Sequence, residues 1–422
     1  MTYLLIEKLN LNYGVLIGLG IFFRLIFIAA IPNLSQDFYR FLWDGRLVAQ
    51  GISPYLFTPD MYLAQISKTI GDVIPQADEL YTGMGPLSAS NYSSYPPMNQ
   101  FFFATAALLG GKSILGSVVV LRSIIIIADL GILYFGKKIL EKLGLPFKNI
   151  FWFFLNPFII IELSGNLHFE GAMLVFLNWT LFLLFRGKWA WAALLIGISI
   201  SVKLIPLMLL PIFIKFLSKN DKIIKSSEPS LKKLLGFYVI IGLSVLLTFL
   251  PFLSVDFIKN FTFTIGLWFQ KFEFNASVYY LIRWIGFKIV GWNIIETVGK
   301  ILPLVTFLCI LVISFFRRNM NLKHLIQSML FAVSIYLMLS TTVHPWYITT
   351  PLILSVFTNY KFPLVWSLMI FLSYSAYGKE GVNENLLLVA IEYITIISIA
   401  LWEISRSKGN LKLENSNDKH IV

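Results

Sequence analysis

The sequence predicts an all-α polytopic membrane protein with about a dozen spans. Three observations carry that expectation. Hydrophobic residues make up 57% of the 422-residue chain and charged residues only 13%, about half the charged share of a soluble domain. The apolar residues arrive in blocks separated by short charged or Pro, Gly and Asn punctuation, leaving no stretch for a separate soluble domain. The bases also collect in particular gaps: Lys137 to Lys148 holds four bases against one acid, whereas Pro32 to Pro96 holds six acids against three bases. Basic short loops stay in the cytoplasm, so the first gap is inside and the second outside.

Taken in order, the block at 12–32 follows a single nearby base, Lys8, and is long enough to span. It reads as a retained first helix, not a cleaved signal peptide. The large external loop, 33–96, follows, with short interfacial helices expected within it. The apolar piece after Pro97 is too short for a comfortable crossing and reads as interfacial or re-entrant, which makes about 116–136 the next crossing. Further spans are expected near 149–164, 171–185, 189–202, 203–217, 234–254, 298–316, 325–343, 346–360, 362–377 and 385–403. With this phase Arg186, Lys188, the Lys219–Lys233 loop and the Arg317–Lys323 loop all fall inside. The segment from Asp256 to about Ile295 stays outside with one short interfacial helix. Residues 1–403 form one membrane domain, and 404–422 a polar cytoplasmic tail without expected structure.

Composition also excludes some functions. The net charge of +12 is explained by the loop bases, so nucleic acid is not an expected partner, while the lipid bilayer is. Cys309 is the single cysteine, so no intrachain disulfide and no cysteine-rich zinc site exists. No metal is expected as a requirement; a divalent cation would have to draw on Asp37, Asp44 and Glu170.

With the phase set, unusual polar residues gather on the external face. Asp37 and Asp44 open the large loop and Tyr95 closes it. Asn166, His168 and Glu170 form one external turn, Lys203 sits in another, and Asn275, Ser277 and His344 lie outside as well. Any one of these is an ordinary polar turn residue; as a group, acids, a His and a Lys beside aromatic side chains describe a site. Carboxylates and a His take a proton from a hydroxyl, and Lys or Arg stabilises a departing phosphate, which suits group transfer from a phosphate-linked donor. Arg24, Arg122, Asp129 and Glu162 fall in or near spans and need partners. Arg122 and Asp129, seven apart, read first as a structural ion pair, direct or through another helix, with Arg122 also a candidate phosphate contact. Trp43, Trp268, Trp284 and Trp346 could stack on sugar faces, although Trp favours membrane interfaces in any case.

Residues 36–55, QDFYRFLWDGRLVAQGISPY, followed by YPPMNQFFF at 95–103, resemble the first external loop of the GT-C superfamily of polyprenyl-phosphate-sugar-dependent glycosyltransferases. The resemblance is closest to polyprenol-phosphate-mannose mannosyltransferases, bacterial and GPI-mannosyltransferase-like. NPFIIIELSGNLHFEGAML (156–174), SVKLIPLMLLP (201–211), FEFNASVYYLIRWIG (272–286) and TVHPWYITTP (342–351) resemble further pieces of that group, in the same order. The resemblance implies a GT-C fold and inverting transfer of a hexose, foremost mannose. The donor would be a polyprenyl-phosphate sugar and the acceptor a lipid-linked or glycan acceptor, at the non-cytoplasmic face: periplasm or exterior in a bacterium, ER lumen in a eukaryote. It implies Asp37 as base, Asp44 as second candidate, His344 as partner of the acid, and Lys203 with Arg122 at the donor phosphate. Tyr39, Trp43, Arg46, Tyr95, Asn166, His168, Glu170, Asn275, Trp346 and Tyr347 are candidates for substrate contact. Asp37 and Asp44, seven apart, would share one helix face two turns apart and look into one cavity. Gln36 stands where some relatives carry a second adjacent acid, a departure that argues against oligosaccharyltransferase-like metal dependence. The rival class is a secondary transporter or flippase of lipid-linked sugars, which would place ionisable residues at broken helices near the midplane.

Overall fold

A computed structural model describes residues 2–66, 74–218, 230–378 and 381–417. Lys68 and Asp72 of the first loop, Lys219, Lys222 and Lys225 of the basic loop, and residues 418–422 of the tail lie outside the described residues.

The protein is almost wholly helical. Among the described residues five helices are long and apolar enough to cross a membrane: Ile114–Leu143, Leu231–Phe252, Ile295–Phe316, Leu322–Leu339 and Leu386–Arg406. A sixth crossing results if Phe147–Phe154 and Pro157–Gly165, bent by 50° at their junction, count as one. Pro157 gives the break its cause, since it removes a backbone donor. Asn156 then restarts the helix by accepting from the Phe158 amide at 3.0 Å. Tyr13–Leu25, Glu170–Phe185, Trp189–Val202, Ile205–Ser218 and Phe362–Ala376 are apolar but shorter. The chain is an integral membrane protein by the length and composition of these helices.

Element positions follow the apolar blocks, with some differences in detail. Ile114–Leu143 runs for 30 residues, about 45 Å, well beyond a hydrocarbon core of about 30 Å. The excess carries Lys137, Lys138 and Lys142, and the helix stops where Gly144 adopts a left-handed φ of 67°. The apolar piece after Pro97 is a 14-residue helix, Pro97–Gly110, packed against Asp37–Ala49 and Ile114–Leu143. Two helices, Val255–Gln270 and Val278–Val290, replace the one expected after Asp256. The last helix continues to Asn417, so the start of the polar tail is helical. A two-stranded hairpin, Tyr377–Gly378 with Gly381–Val382, was not foreseen.

The buried charges pair differently from the expected Arg122–Asp129 arrangement. Asp129 binds Arg24 at 2.7 Å across two helices, both side chains fully buried. Arg122 instead donates to four carbonyls, those of Ile28, Ala30, Ser164 and Gly165, at 2.6–3.2 Å. It therefore ties the end of the first helix to the turn at Gly165, and the charge is satisfied by dipoles rather than by an acid.

Candidate functional site

A cavity of about 1190 Å³ opens among the segments assigned to the external face, and its walls come from widely separated parts of the chain. Asp37, Tyr95, Lys203, His344, Trp346 and Tyr347 all line it. Of the expected residues these six, with Trp268, are the ones the fold brings together.

Asp37 is the first residue of the Asp37–Ala49 helix, where the helix dipole favours a carboxylate, and its backbone amide donates to the Ser35 hydroxyl at 3.3 Å. Burial within the cavity wall raises its pKa above the ordinary range; the positive charge of Lys203 and a hydrogen bond from Tyr95 oppose that shift. Lys203 follows the Trp189–Val202 helix, and Asn99 anchors this end by donating to the Val202 carbonyl at 2.9 Å. The Lys203 ammonium pairs with Glu170, which is buried behind it and is not part of the cavity lining.

His344 precedes the turn Pro345–Ile348 and sits in a stack of rings. His168 lies 3.6 Å from Trp346, Trp346 lies 4.5 Å from His344, and Phe274 lies 5.4 Å from His344, all near parallel. Burial, assisted by the Lys203 charge, pushes the His344 pKa down to about 3, so the ring is neutral at physiological pH. Its Nδ1 has no hydrogen-bond partner in the fold. The acid–histidine partnership expected of Asp37 and His344 is thus not a direct contact: Tyr95 is the side chain hydrogen-bonded to Asp37.

The remaining expected residues stand elsewhere. Asp44 shares the helix face of Asp37 but not the cavity. Two turns further along, it is fully buried, bound by Arg40 at 2.7 Å, Ser93 at 2.5 Å and Gln100 at 3.1 Å. Arg122 is consumed by the carbonyls above and does not reach the cavity. Tyr39 packs on Phe38 outside the lining, and Trp43 is buried edge-on to Tyr62. Arg46 holds the Pro75 and Lys112 carbonyls and Gln76. Asn166 donates to Glu162 at 3.4 Å, and His168 is buried behind Trp346. Asn275 is a buried hub: its amide nitrogen donates to Glu384 at 2.5 Å, its side chain to Glu392 at 3.3 Å, and its carbonyl accepts from Tyr393 at 2.7 Å.

Sequence reasoning missed several lining residues: Arg40, Glu273, Tyr374 and Tyr377, and the amides of Asn33 and Gln36. Tyr374 and Tyr377 carried a signal, two tyrosines one turn apart at the outer end of a span. Of the acids considered for a hard cation, Asp44 and Glu170 are each already paired with a base. Among the described residues no group of three or more His, Cys, Asp or Glu is placed to hold a metal ion.

The cavity also has an apolar arm. Leu204, Leu207, Met208 and Pro211 line it from the segment after Lys203, and Pro303, Thr306, Phe307 and Ile310 from the Ile295–Phe316 helix. Each stripe has helical spacing over seven residues, about 10–14 Å, and the first leads away from Lys203 along the chain. Leu207 and Phe307, one on each segment, are each half exposed.

Residues 16–219 match the family described as alpha-(1->6)-mannopyranosyltransferase, N-terminal domain. That stretch contains Asp37, Tyr95, Glu170 and Lys203 but not His344. Alpha-(1->6)-mannopyranosyltransferase A of Mycobacterium tuberculosis is 21% identical over 175 residues, covering 41% of this chain and 31% of that protein. The match thus spans about a third of the length of the curated relative. Similarity to mannosyltransferases of the GT-C type, expected from the motifs, is found in these comparisons.

Proposed function

We propose that this protein is an inverting GT-C-type mannosyltransferase that moves mannose from a polyprenyl-phosphate donor to a glycan or glycolipid acceptor on the non-cytoplasmic face. The observation that carries the reading is the single cavity in which Asp37 and Lys203 meet the mouth of an apolar arm. An isoprenoid phosphate needs both halves: a cation for the phosphate and an apolar channel, reachable from the bilayer, for the chain.

The chemistry follows from the placement. Asp37 takes the proton of an acceptor hydroxyl as that oxygen forms a bond to the anomeric carbon. The bond from that carbon to the phosphate oxygen breaks on the opposite side, and the electron pair leaves with the polyprenyl phosphate, whose charge Lys203 stabilises. Direct displacement inverts the anomeric centre. Neutral His344, Trp346 and Tyr347 form an aromatic wall suited to a sugar face. With about twelve crossings, counting the short apolar helices, Asp37, Lys203 and His344 share the external side. The transporter reading is not favoured: Arg24 and Asp129, both buried within the spans, neutralise each other away from the cavity.

The test is transfer of radiolabelled mannose from synthetic polyprenyl-phosphate-mannose, with the glucose donor alongside, to membranes containing native acceptors. Wild type should incorporate label from the mannose donor and Asp37→Asn should not. Absence of incorporation by folded wild-type protein with acceptor present defeats the proposal.

A further inference from the structure

Apart from neutral His344, the ionisable acids and bases on the cavity lining are Asp37, Arg40, Lys203 and Glu273. Three of these have an opposite charge outside the lining: Arg40 has Asp44, Lys203 has Glu170 and Glu273 has Arg283. Asp37 is the exception. Among the described residues it belongs to no ion pair, although the Lys203 ammonium is near enough to act on it. Lys203 thus stands between two carboxylates and is bonded to the one outside the cavity.

That choice is set by the helices. Ser199 donates to the Met173 carbonyl at 2.8 Å and Thr180 to the Ala192 carbonyl at 3.3 Å. The antiparallel register of Glu170–Phe185 and Trp189–Val202 therefore brings Glu170 level with Val202 and Lys203. Glu170 is the first residue of its helix, where the dipole favours a carboxylate, and is 0% exposed against 16% for Lys203. Fastening the helix ends does not call for charge: the two hydrogen bonds and Asn99 already hold them, and a buried ion pair adds little stability over apolar packing. The other groups around Asp37 and Lys203 do not compete for the ammonium. Tyr95, Tyr347 and Tyr377 are phenols, uncharged at neutral pH, and burial with the Lys203 charge keeps His168, like His344, neutral. Glu162 acts on Glu170 from the preceding turn but is itself bonded by Tyr374 and Asn166. Without Glu170, the nearest carboxylate on the lining for Lys203 would be Asp37. A bridge between those two would weaken the carboxylate as a base and occupy the cation.

We propose that Glu170 is a positioning residue: it holds the Lys203 ammonium off Asp37, so that the cation remains available to a leaving phosphate and the carboxylate to an acceptor proton. An ammonium has three donors, so Lys203 keeps its bond to Glu170 while it turns another towards the cavity. The roles given to Lys203 and Asp37 rest on the mannosyltransferase reading; the control of Asp37 by Glu170 through Lys203 does not.

The test uses the full chain in lipid nanodiscs and two readouts. Infrared difference spectra against pH follow the Asp37 carboxyl, identified as the band lost in Asp37→Asn, and mannose transfer from polyprenyl-phosphate-mannose gives the pH profile of kcat/KM. Glu170→Gln keeps the shape and removes a negative charge near Asp37, leaving Lys203 to stabilise the Asp37 carboxylate. The infrared midpoint and the acid limb should therefore both fall by about one pH unit, and transfer at neutral pH by about 10–100-fold. Glu170→Asp should move both back towards wild type. Glu170→Gln combined with Lys203→Met removes both charges, the stronger influence on Asp37 being the lysine, so the midpoint should lie above wild type. This double variant leaves no stranded ion and decides the matter if the single variant does not fold. A lower unfolding temperature in Glu170→Gln with midpoint and limb unmoved, or a double-variant midpoint at or below wild type, overturns the proposal and leaves Glu170 a tie between helix ends. Midpoints that move as expected in a protein that transfers no mannose support the control of Asp37 and defeat the enzyme reading instead.

Discussion

Asp37 and Asp44 lie seven residues apart on one helix, and their neighbours give them opposite surroundings. Removing one member of a buried ion pair strands the other, at a cost of about 3–5 kcal/mol. Asp44→Ala should therefore lower the unfolding temperature in detergent markedly, with any loss of activity tracking loss of folded protein. Asp37 has no such pair. Its folded pKa is raised, chiefly by burial, so the stability it contributes is present below the unfolded carboxylate pKa and is lost as pH rises through the folded value. At neutral pH, Asp37→Asn should leave the unfolding temperature unchanged or higher while transfer falls by about 10²–10⁴. Because the base must be ionised, the acid limb of kcat/KM should sit above the ordinary carboxylate pKa of about 3.9 and disappear with the asparagine variant. His344 titrates near 3, below that range. His344→Phe, which keeps the stack, should reduce transfer without shifting the acid limb; a shifted limb would return His344 to an acid–base role. The Asp44 outcome was partly visible in the sequence, since Arg40 stands four residues before it. What was not visible is that a loop 50 residues away, at Ser93, closes over the pair.

Helices were legible where an apolar run is bounded by charge or proline. Trp189–Val202 and Phe362–Ala376 match expectation nearly to the residue. Less legible were features set by tertiary contact. At the Pro157 bend Asn156 reaches Ser367 at 3.0 Å, and Phe274, which stacks on His344, is held by backbone bonds to residues 341 and 343. Asn275 shows why the external residues were harder to assign. A polar residue beside aromatic neighbours looks like a substrate contact, but its left-handed φ of 46° and its three partnered polar groups make it a joint between the loop and the last helix. Asn275→Ala should destabilise by about 2–4 kcal/mol, from strain and from leaving buried Glu392 with Trp366 as its remaining side-chain donor, read by denaturation in detergent. The apolar arm makes its own prediction as an element. Thr306→Trp would fill the space between Ile295–Phe316 and the Leu204–Pro211 stripe. KM should rise at least about tenfold for a donor with a long isoprenoid chain and stay near wild type for one truncated to a single unit. Equal effects on both donors would remove the arm from donor binding.

At the scale of the whole molecule the proposed function depends on sidedness, because a donor cation and a base cooperate only if they open to one compartment. The proposed sidedness has Asn33 and Tyr95 outside and Lys142 inside, with the Ile114–Leu143 helix crossing between them. The single cysteine makes a direct test possible. In a Cys309→Ser background, cysteines introduced singly at Asn33, Lys142 and Arg318 are treated in intact cells with a membrane-impermeant maleimide, then again after permeabilisation. Asn33→Cys should label in intact cells; Lys142→Cys and Arg318→Cys should label only once the membrane is opened. Fold and sidedness are independent here, since the packing that joins Asp37, Lys203 and His344 holds for either orientation. Reversed labelling would therefore leave the cavity intact but open it to the cytoplasm, where the acceptor and the supply of lipid-linked donor would have to be sought. Labelling of Asn33→Cys and Lys142→Cys from the same side would instead break the crossing between them, and with it the phase on which every later span depends.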